Sequence, residues 1–328
     1  MLNQNAVLLN VPSQLGAGFG KLQGREWSER ADAVGAALSS LGIHLAKIQT
    51  LHVPAPSFAG NSKLHYLNEV VEVCQRVSSW VRHAREEGNF PIILGGDHSL
   101  AVGSASGMAT ALKTENKSLS LLWMDAHADM NTIATTPSGN IHGMALNALI
   151  DNEPIQLSQL DKWDHKILPK NVTLLGLRFA DEGELDNIQK SGINVISASM
   201  LAQSGIIDAL GPVLASSQQP LHLSFDLDCI NPAEAPAVNT PYPGGLTFRE
   251  ARLACEMAAD SARLVSLDIV EHNPQKGSHE EMIAIISELI AACLGHKALF
   301  IPNSSSAGKP RAPSNQVSSG KSTAPRRK

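Results

Sequence analysis

Short runs of Leu, Ile and Val alternate along the chain with longer segments whose apolar residues recur every three or four positions. The short runs predict strands that begin near Ala6, Phe90, Ser118, Asn171, Ile193, Leu221, Leu264 and Ala298. The longer segments predict amphipathic helices over residues 25–41, 63–87, 99–113, 247–262 and 279–294. Such alternation is typical of repeated βαβ units. We therefore expect an α/β fold, a three-layer sandwich around a central, mainly parallel sheet of about eight strands.

The domain organisation follows from a change in composition near the C-terminus. Residues 1–302 fit a single large α/β domain, whereas residues 303–328 are rich in Ser, Pro and basic residues and predict a disordered tail. Removing the tail's cations from the formal net charge of −5 leaves about −11 on the body, which argues against nucleic-acid binding. The sequence contains no apolar stretch of eighteen residues and no N-terminal signal pattern. We expect a cytoplasmic protein with no membrane partner.

Ionisable side chains fall at or just after the carboxyl ends of several predicted strands. They are His98, Asp125, His127, Asp129, Asp226, Asp228 and Glu271. Each one alone has a plainer explanation, because an Asp or His after a strand is often a helix cap or a turn residue. Together they converge on one edge of the sheet, which is where open α/β sheets bind ligands.

This convergence predicts bound metal. Up to four carboxylates within a few ångströms of one another are untenable without cations. Carboxylate and imidazole ligands without a thiolate suit ions such as Mn²⁺, and the ligands are too many for one ion that must also bind water. We therefore expect two ions and a hydroxide bridging them, which favours hydrolysis. Glu271 could pair with a guanidinium, and His142 in the segment SGNIHG could relay a proton. A lone histidine after a glycine-containing turn is, however, more often structural than catalytic.

The ordered motifs of the chain resemble those of the arginase family. The matching segments are GGDHSLA from Gly95, DAHADMNT from Asp125, SGNIHG from Ser138, SFDLD from Ser224, NTPYPGGLTFRE from Asn239 and LDIVEHNP from Leu267. The resemblance covers about residues 90–294. It implies the arginase fold, two Mn²⁺ per subunit, and a homo-oligomer, either a trimer or a hexamer.

The resemblance also implies individual roles. One Mn²⁺ would be held by His98, Asp125, Asp129 and Asp226, and the other by Asp125, His127, Asp226 and Asp228. Asp125 and Asp226 would then bridge the two ions. Asp129 would also accept a hydrogen bond from the hydroxide, His142 would shuttle a proton, Glu271 would bind the substrate guanidinium, and Thr240 would line that site.

The substrate is expected to be L-arginine, hydrolysed to L-ornithine and urea. Asn131 and Ser138 are available for the α-carboxylate, Asp181 for the α-ammonium, and Glu184 for a contact through water. Agmatine has no carboxylate, so it would leave Asn131 and Ser138 unpaired, at about 1–3 kcal/mol each. The alternatives are an agmatinase, a guanidinobutyrase, a non-catalytic assembly protein, or a zinc amidohydrolase similar to the deacetylases.

The chain departs from the family pattern at three places. The glycine-rich segment usual near the start of arginases is replaced by VPSQLGAGFGKLQG from Val11. Phe179 stands where arginases often have a smaller or acidic residue, and Cys229 stands where glycine is common. None of the expected metal ligands lies in the divergent N-terminal segment, so we expect it to affect affinity or assembly and not the chemistry.

Overall fold

A parallel sheet of eight strands forms the middle of the fold. The computed structural model describes residues 5–20, 25–57, 63–151, 153–162 and 167–297. The strands are β1 (Ala6–Asn10), β2 (Lys47–Thr50), β3 (Phe90–Leu94), β4 (Ser120–Met124), β5 (Val172–Leu177), β6 (Asn194–Ser197), β7 (Leu221–Asp226) and β8 (Leu264–Val270). Their order across the sheet is β2-β1-β3-β8-β7-β4-β5-β6.

Helices cover both faces of this sheet. They are α1 (Glu26–Ser40), α2 (Leu67–Glu86), α3 (Leu100–Lys113), α4 (Ala145–Ile150), α5 (Ile155–Ser158), α6 (Glu182–Ser191), α7 (Ala198–Ser216), α8 (Phe248–Asp260) and α9 (His279–Cys293). Alternate strand residues point to opposite faces, so Leu8 and Ile92 join one hydrophobic core with α1, α8 and α9, whereas Leu9 and Ile93 join another with α2 and α3. The predicted three-layer α/β sandwich is confirmed.

The strand order determines which side chains meet. Strands β3, β8, β7 and β4 are neighbours in the middle of the sheet, and all run in the same direction. The loops after their carboxyl ends therefore share one edge of the sheet. These loops come from segments that lie far apart in the sequence.

Several elements differ from the sequence expectation. The four-residue edge strand β2 and the helices α6 and α7 were not predicted. The predicted strand from Ala298 and the predicted tail at residues 303–328 lie outside the described residues, so the domain boundary stays a prediction.

Helix α7 is long and apolar enough to cross a membrane by length and composition alone. The helix is interrupted at Gly205, whose φ is 76°. It connects β6 to β7, two strands of the same sheet, and therefore serves as a crossover helix.

Candidate metal centre

His98 lies at the centre of three carboxylates. It follows β3 in a loop that passes close to the N-terminal segment, where a Cβ on Gly96 would lie 1.5 Å from the Ser13 carbonyl oxygen. Its Nδ1 atom is 3.0 Å from Asp125 Oδ2, 3.1 Å from Asp129 Oδ2 and 3.2 Å from Asp226 Oδ2. One nitrogen cannot donate a proton to three oxygen atoms. This geometry is that of ligand atoms around a cation.

His127 forms a second group with two carboxylates. Its Nδ1 atom is 3.0 Å from Asp228 Oδ2 and 3.5 Å from Asp125 Oδ1. Asp125 therefore directs one oxygen to each histidine, as a carboxylate that bridges two metal ions does. Asp226 also fits a bridging position, since Oδ2 faces His98 and Oδ1 accepts a hydrogen bond from the Asp228 N–H at 2.8 Å.

The charges of the cluster are unbalanced without a cation. Burial, followed by the charges of Asp228 and Asp125, raises the pKa of Asp226 well above its usual value. Burial and the charge of Asp125 likewise raise the pKa of Asp129 to about 6. Burial alone would lower the pKa of His127, but its hydrogen bonds to Asp125 and Asp228 raise it to about 12. In the metal-free protein, bound protons therefore balance the negative charge of these carboxylates. Bound metal ions would balance the same charge.

Two atoms support the fit to metal independently of charge. His98 Nδ1 and Asp129 Oδ2 are buried and have no partner in hydrogen-bond geometry. Buried polar atoms without a partner are costly, and coordination of an ion would satisfy both. The residues present therefore fit a pair of divalent ions.

The backbone is strained at two of the residues that carry carboxylates into the site. Asp129 has a φ of 50° and Glu271 a φ of 65°, and both lie in the left-handed region. Such conformations cost a non-glycine residue about 1–3 kcal/mol. At Asp129 the chain leaves the extended path that positions Asp125 and His127, and this turn brings the second carboxylate of the segment towards His98.

Glu271 connects His142 to the metal cluster. Its Oε1 atom accepts hydrogen bonds from the His98 backbone N–H at 2.8 Å and from His142 Nδ1 at 3.1 Å. Its Oε2 atom accepts one from Asn239 Nδ2 at 3.3 Å. Burial lowers the pKa of His142, but the hydrogen bond and charge of Glu271 outweigh it and raise the pKa to about 9.

Comparison with known proteins agrees with this geometry. Residues 10–295 match the model of the arginase family. An arginase of Bacillus caldovelox is 35% identical over 275 residues, 83% of this chain and 89% of that protein. An arginase structure from Bacillus cereus superimposes with a TM-score of 0.81 and 34% identity, over 90% of this chain and all of that chain. The chain belongs to the arginase family.

The arginase-family match covers the divergent N-terminal segment from residue 10 onwards, and the structure connects that segment directly to the site. The Gly16 carbonyl accepts a hydrogen bond from the His142 N–H at 3.1 Å, and the Gly16 N–H donates to Asp97 Oδ2 at 3.0 Å. Gln14 Oε1 accepts one from Asn239. The segment therefore contributes backbone support to the residues around Glu271.

The residues predicted to bind the far end of the substrate line one cavity of about 180 Å³ together with several candidate metal ligands. Asn131 donates to Asp181 Oδ2 at 3.1 Å, and the Ser138 hydroxyl accepts from the Asn140 N–H at 3.1 Å. Glu184 is buried, and its two oxygens accept the N–H groups of Asp181 and Met130 at 2.8 and 3.0 Å. Glu184 thus holds α6 against the loop after Asp129.

Thr240 lies on the metal side of the cavity, where its hydroxyl donates to Asp228 Oδ2 at 3.1 Å. Its loop is fixed by Arg178, which donates to the carbonyls of Asp228 at 2.6 Å and Tyr242 at 2.7 Å. Arg178 was not among the predicted site residues.

Sequence reasoning also missed residues that stack on the candidate ligands or form hydrogen bonds with them. Trp123 stacks on the His98 ring, with centroids 3.9 Å apart, and donates to Asp125 Oδ2 at 3.0 Å. Ser224 accepts a hydrogen bond from His98 Nε2 at 2.9 Å. Trp123 and Ser224 each stand two positions before a candidate ligand, Asp125 and Asp226 respectively, so the two-residue period of a strand could have indicated them.

Proposed function

We propose that this hydrolase binds two Mn²⁺ ions and hydrolyses L-arginine to L-ornithine and urea. The observation that carries the proposal is the position of Asp125, whose two oxygens face His98 and His127 at 3.0 and 3.5 Å. A carboxylate shared in this way between two groups of ligands suits a binuclear centre. Oxygen and imidazole ligands without a thiolate suit Mn²⁺.

Two ions bound by these residues would activate water for attack on the guanidinium carbon of the substrate, which is otherwise nearly unreactive towards water. His98 and Asp129 would hold one ion, and His127 and Asp228 would hold the other. Asp125 and Asp226 would contribute ligands to both.

Glu271 is suited to orient the guanidinium of the substrate. The carboxylate is buried at the edge of the site, so a cation that reached it would form a charge-assisted hydrogen bond with little competition from water. Asn239 and the His98 N–H fix its two oxygens, and the left-handed backbone turns the side chain away from the strand direction.

His142 is suited to supply the proton that the leaving amine requires. Glu271 engages Nδ1, which leaves Nε2 of the ring to donate. With its pKa near 9, the imidazole carries the proton at neutral pH. Transfer of one proton from Nε2 to the nitrogen of the breaking C–N bond would let ornithine leave as a neutral amine instead of an amide anion.

The polar lining of the cavity supports L-arginine over substrates that lack its α-substituents. Asp181 would accept the α-ammonium, whereas Asn131 and Ser138 would meet the α-carboxylate. Asn131 keeps one amide hydrogen beyond its bond to Asp181, and Ser138 keeps its hydroxyl hydrogen. A homo-oligomeric assembly and a cytoplasmic location remain predictions.

The test is urea release from L-arginine, agmatine and 4-guanidinobutyrate by purified protein incubated with Mn²⁺ or with a chelator. Manganese-dependent release from L-arginine alone is expected. Asp125→Asn should abolish it, whereas Asp186→Asn, an exposed residue of α6, should not. Preference for agmatine or 4-guanidinobutyrate would contradict the substrate assignment, and no urea from any of the three would contradict the proposed function.

A further inference from the structure

The two ligand histidines are held in different ways by the surrounding protein. His98 is 1% exposed, and its Nε2–H donates to Ser224 Oγ at 2.9 Å. Ser224 in turn donates to Asp268 Oδ2 at 2.8 Å, and His222 Nε2 lies 2.9 Å from the other oxygen of Asp268. A buried chain of hydrogen bonds therefore fixes the orientation of the His98 ring.

His127 has no equivalent support. Its side chain is 22% exposed, and only Nδ1 faces carboxylates. Within residues 5–20, 25–57, 63–151, 153–162 and 167–297, His127 Nε2 makes no hydrogen bond and no ion pair. The ring instead contacts Phe179, with centroids 5.7 Å apart and planes at 73°.

Phe179 lies beside the His127 ring and offers it no polar side-chain atom. Its backbone N–H donates to the Ala126 carbonyl at 3.1 Å, one residue before His127, so the two side chains start side by side. The Phe179 ring also packs on Tyr242, with centroids 5.2 Å apart. A phenyl ring excludes other side chains from this place but provides no hydrogen-bond acceptor.

A histidine that binds a metal usually donates its second N–H to a carboxylate or carbonyl, which orients the ring and strengthens it as a ligand. Loss of such a partner typically costs about 10–100-fold in metal affinity. Water can reach the exposed edge of His127, but water neither fixes the ring nor carries a negative charge. The same protein thus contains one supported and one unsupported ligand histidine.

We propose that Phe179 makes the two metal sites unequal, so that the ion held by His127 and Asp228 binds more weakly and leaves first. The proposal rests on the binuclear centre proposed above and identifies Phe179 as a positioning residue for its second ion. The family pattern at this position, a smaller or acidic residue, offers a direct comparison by substitution.

The experiment is titration of the metal-free full-length protein with Mn²⁺, with free Mn²⁺ measured by electron paramagnetic resonance. The wild type should show two classes of site whose dissociation constants differ at least tenfold. Phe179→Asp and Phe179→Asn should tighten the weaker class about tenfold, because both supply an acceptor beside His127. Phe179→Leu, which removes the ring without adding an acceptor, should leave the weaker class as weak as in the wild type.

Two further variants assign the classes to their sites. His127→Ala should remove the weaker class and retain the tighter one, and His98→Ala should remove the tighter one. Equal affinities in the wild type, loss of the tighter class in His127→Ala, or equal tightening by Asp and Leu at position 179 would each overturn the proposal. A wild-type protein that binds no Mn²⁺, or only one ion, would refute the binuclear centre itself, so the two failures are distinguishable.

Discussion

Glu271→Gln is expected to lower the pKa of His142 and to destabilise the metal-free protein in a pH-dependent way. Burial of His142 opposes its charge, yet the hydrogen bond and charge of Glu271, with smaller contributions from Asp129 and Asp97, raise the pKa from 6.5 to about 9. This difference corresponds to about 3 kcal/mol. Glutamine keeps an acceptor oxygen but not the charge. Most of this stabilisation should therefore be lost in the variant.

The sign of the pH dependence follows from the raised pKa. The ion pair stabilises the fold fully below pH 6.5, and its contribution disappears as the pH rises through about 9. Urea unfolding of metal-free wild type and Glu271→Gln should therefore differ by up to about 3 kcal/mol at pH 6 and much less at pH 10. The pKa of His142 itself can be followed by histidine NMR, with His142→Asn to identify the resonance.

Glu184→Gln is the matched control, because Glu184 is a buried carboxylate in the cavity that His142 also lines, yet it does not contact His142. It should leave the His142 pKa unchanged. The reasoning is refuted if wild-type His142 titrates near 6.5, or if the difference in unfolding free energy between Glu271→Gln and wild type is the same at both pH values.

Three further outcomes are expected. Mn²⁺ binding should release protons, and its affinity should increase from pH 6 to 8, because Asp129, with its pKa near 6, must be deprotonated to bind the ion. Calorimetry in buffers of different ionisation enthalpy measures the number of protons released. An Mn²⁺ affinity that does not change with pH would contradict the prediction. Asp181→Asn should raise KM for L-arginine about tenfold and leave KM for 4-guanidinobutyrate unchanged, because the latter substrate lacks the α-ammonium. Equal increases in KM for both substrates in steady-state kinetics would show that Asp181 does not bind the α-ammonium. Arg178→Met should lower the free energy of unfolding by about 2 kcal/mol, because the carbonyls of Asp228 and Tyr242 lose their hydrogen-bond donor. An unchanged free energy of unfolding in urea would contradict the stabilising role of Arg178.

Elements with a clear hydrophobic period were predictable from the sequence, and those without one were not. Strand β3 was predicted because all five of its residues are buried and form a continuous apolar run, and helix α8 was predicted because its buried face repeats with the helical period. Strand β2 reads KIQT and lies at the edge of the sheet, where little of it is buried, so its pairing with β1 has no local signal. Helix α7 is interrupted at Gly205 and has few buried residues, which blurs its period.

The site was predictable to the extent that its residues follow strand ends. His98, Asp125 and Asp226 could be placed together because parallel strands share one carboxyl edge. The strand order that makes β3, β8, β7 and β4 neighbours depends on long-range pairing and could not be read from local pattern. For the same reason, the role of Arg178 as a clamp on residues 228–243 became apparent only from its contacts.

The contact between Phe179 and His127 illustrates a different limit. The sequence identified Phe179 as a departure from the family pattern but gave no consequence for it. The consequence depends on what His127 lacks at Nε2 compared with His98, and that comparison requires the surroundings of both rings.

The left-handed backbone at Asp129 and Glu271 places selection for activity against selection for stability. Glycine would adopt either conformation without strain, so each carboxylate is held at a position that the backbone alone would give to glycine. A library screened only for heat resistance should therefore enrich glycine at position 129 and lose metal binding, whereas at position 271 the same relief of strain is offset by loss of the ion pair with His142. Engineering of this enzyme for durability would need to keep these two residues fixed and seek its gains elsewhere.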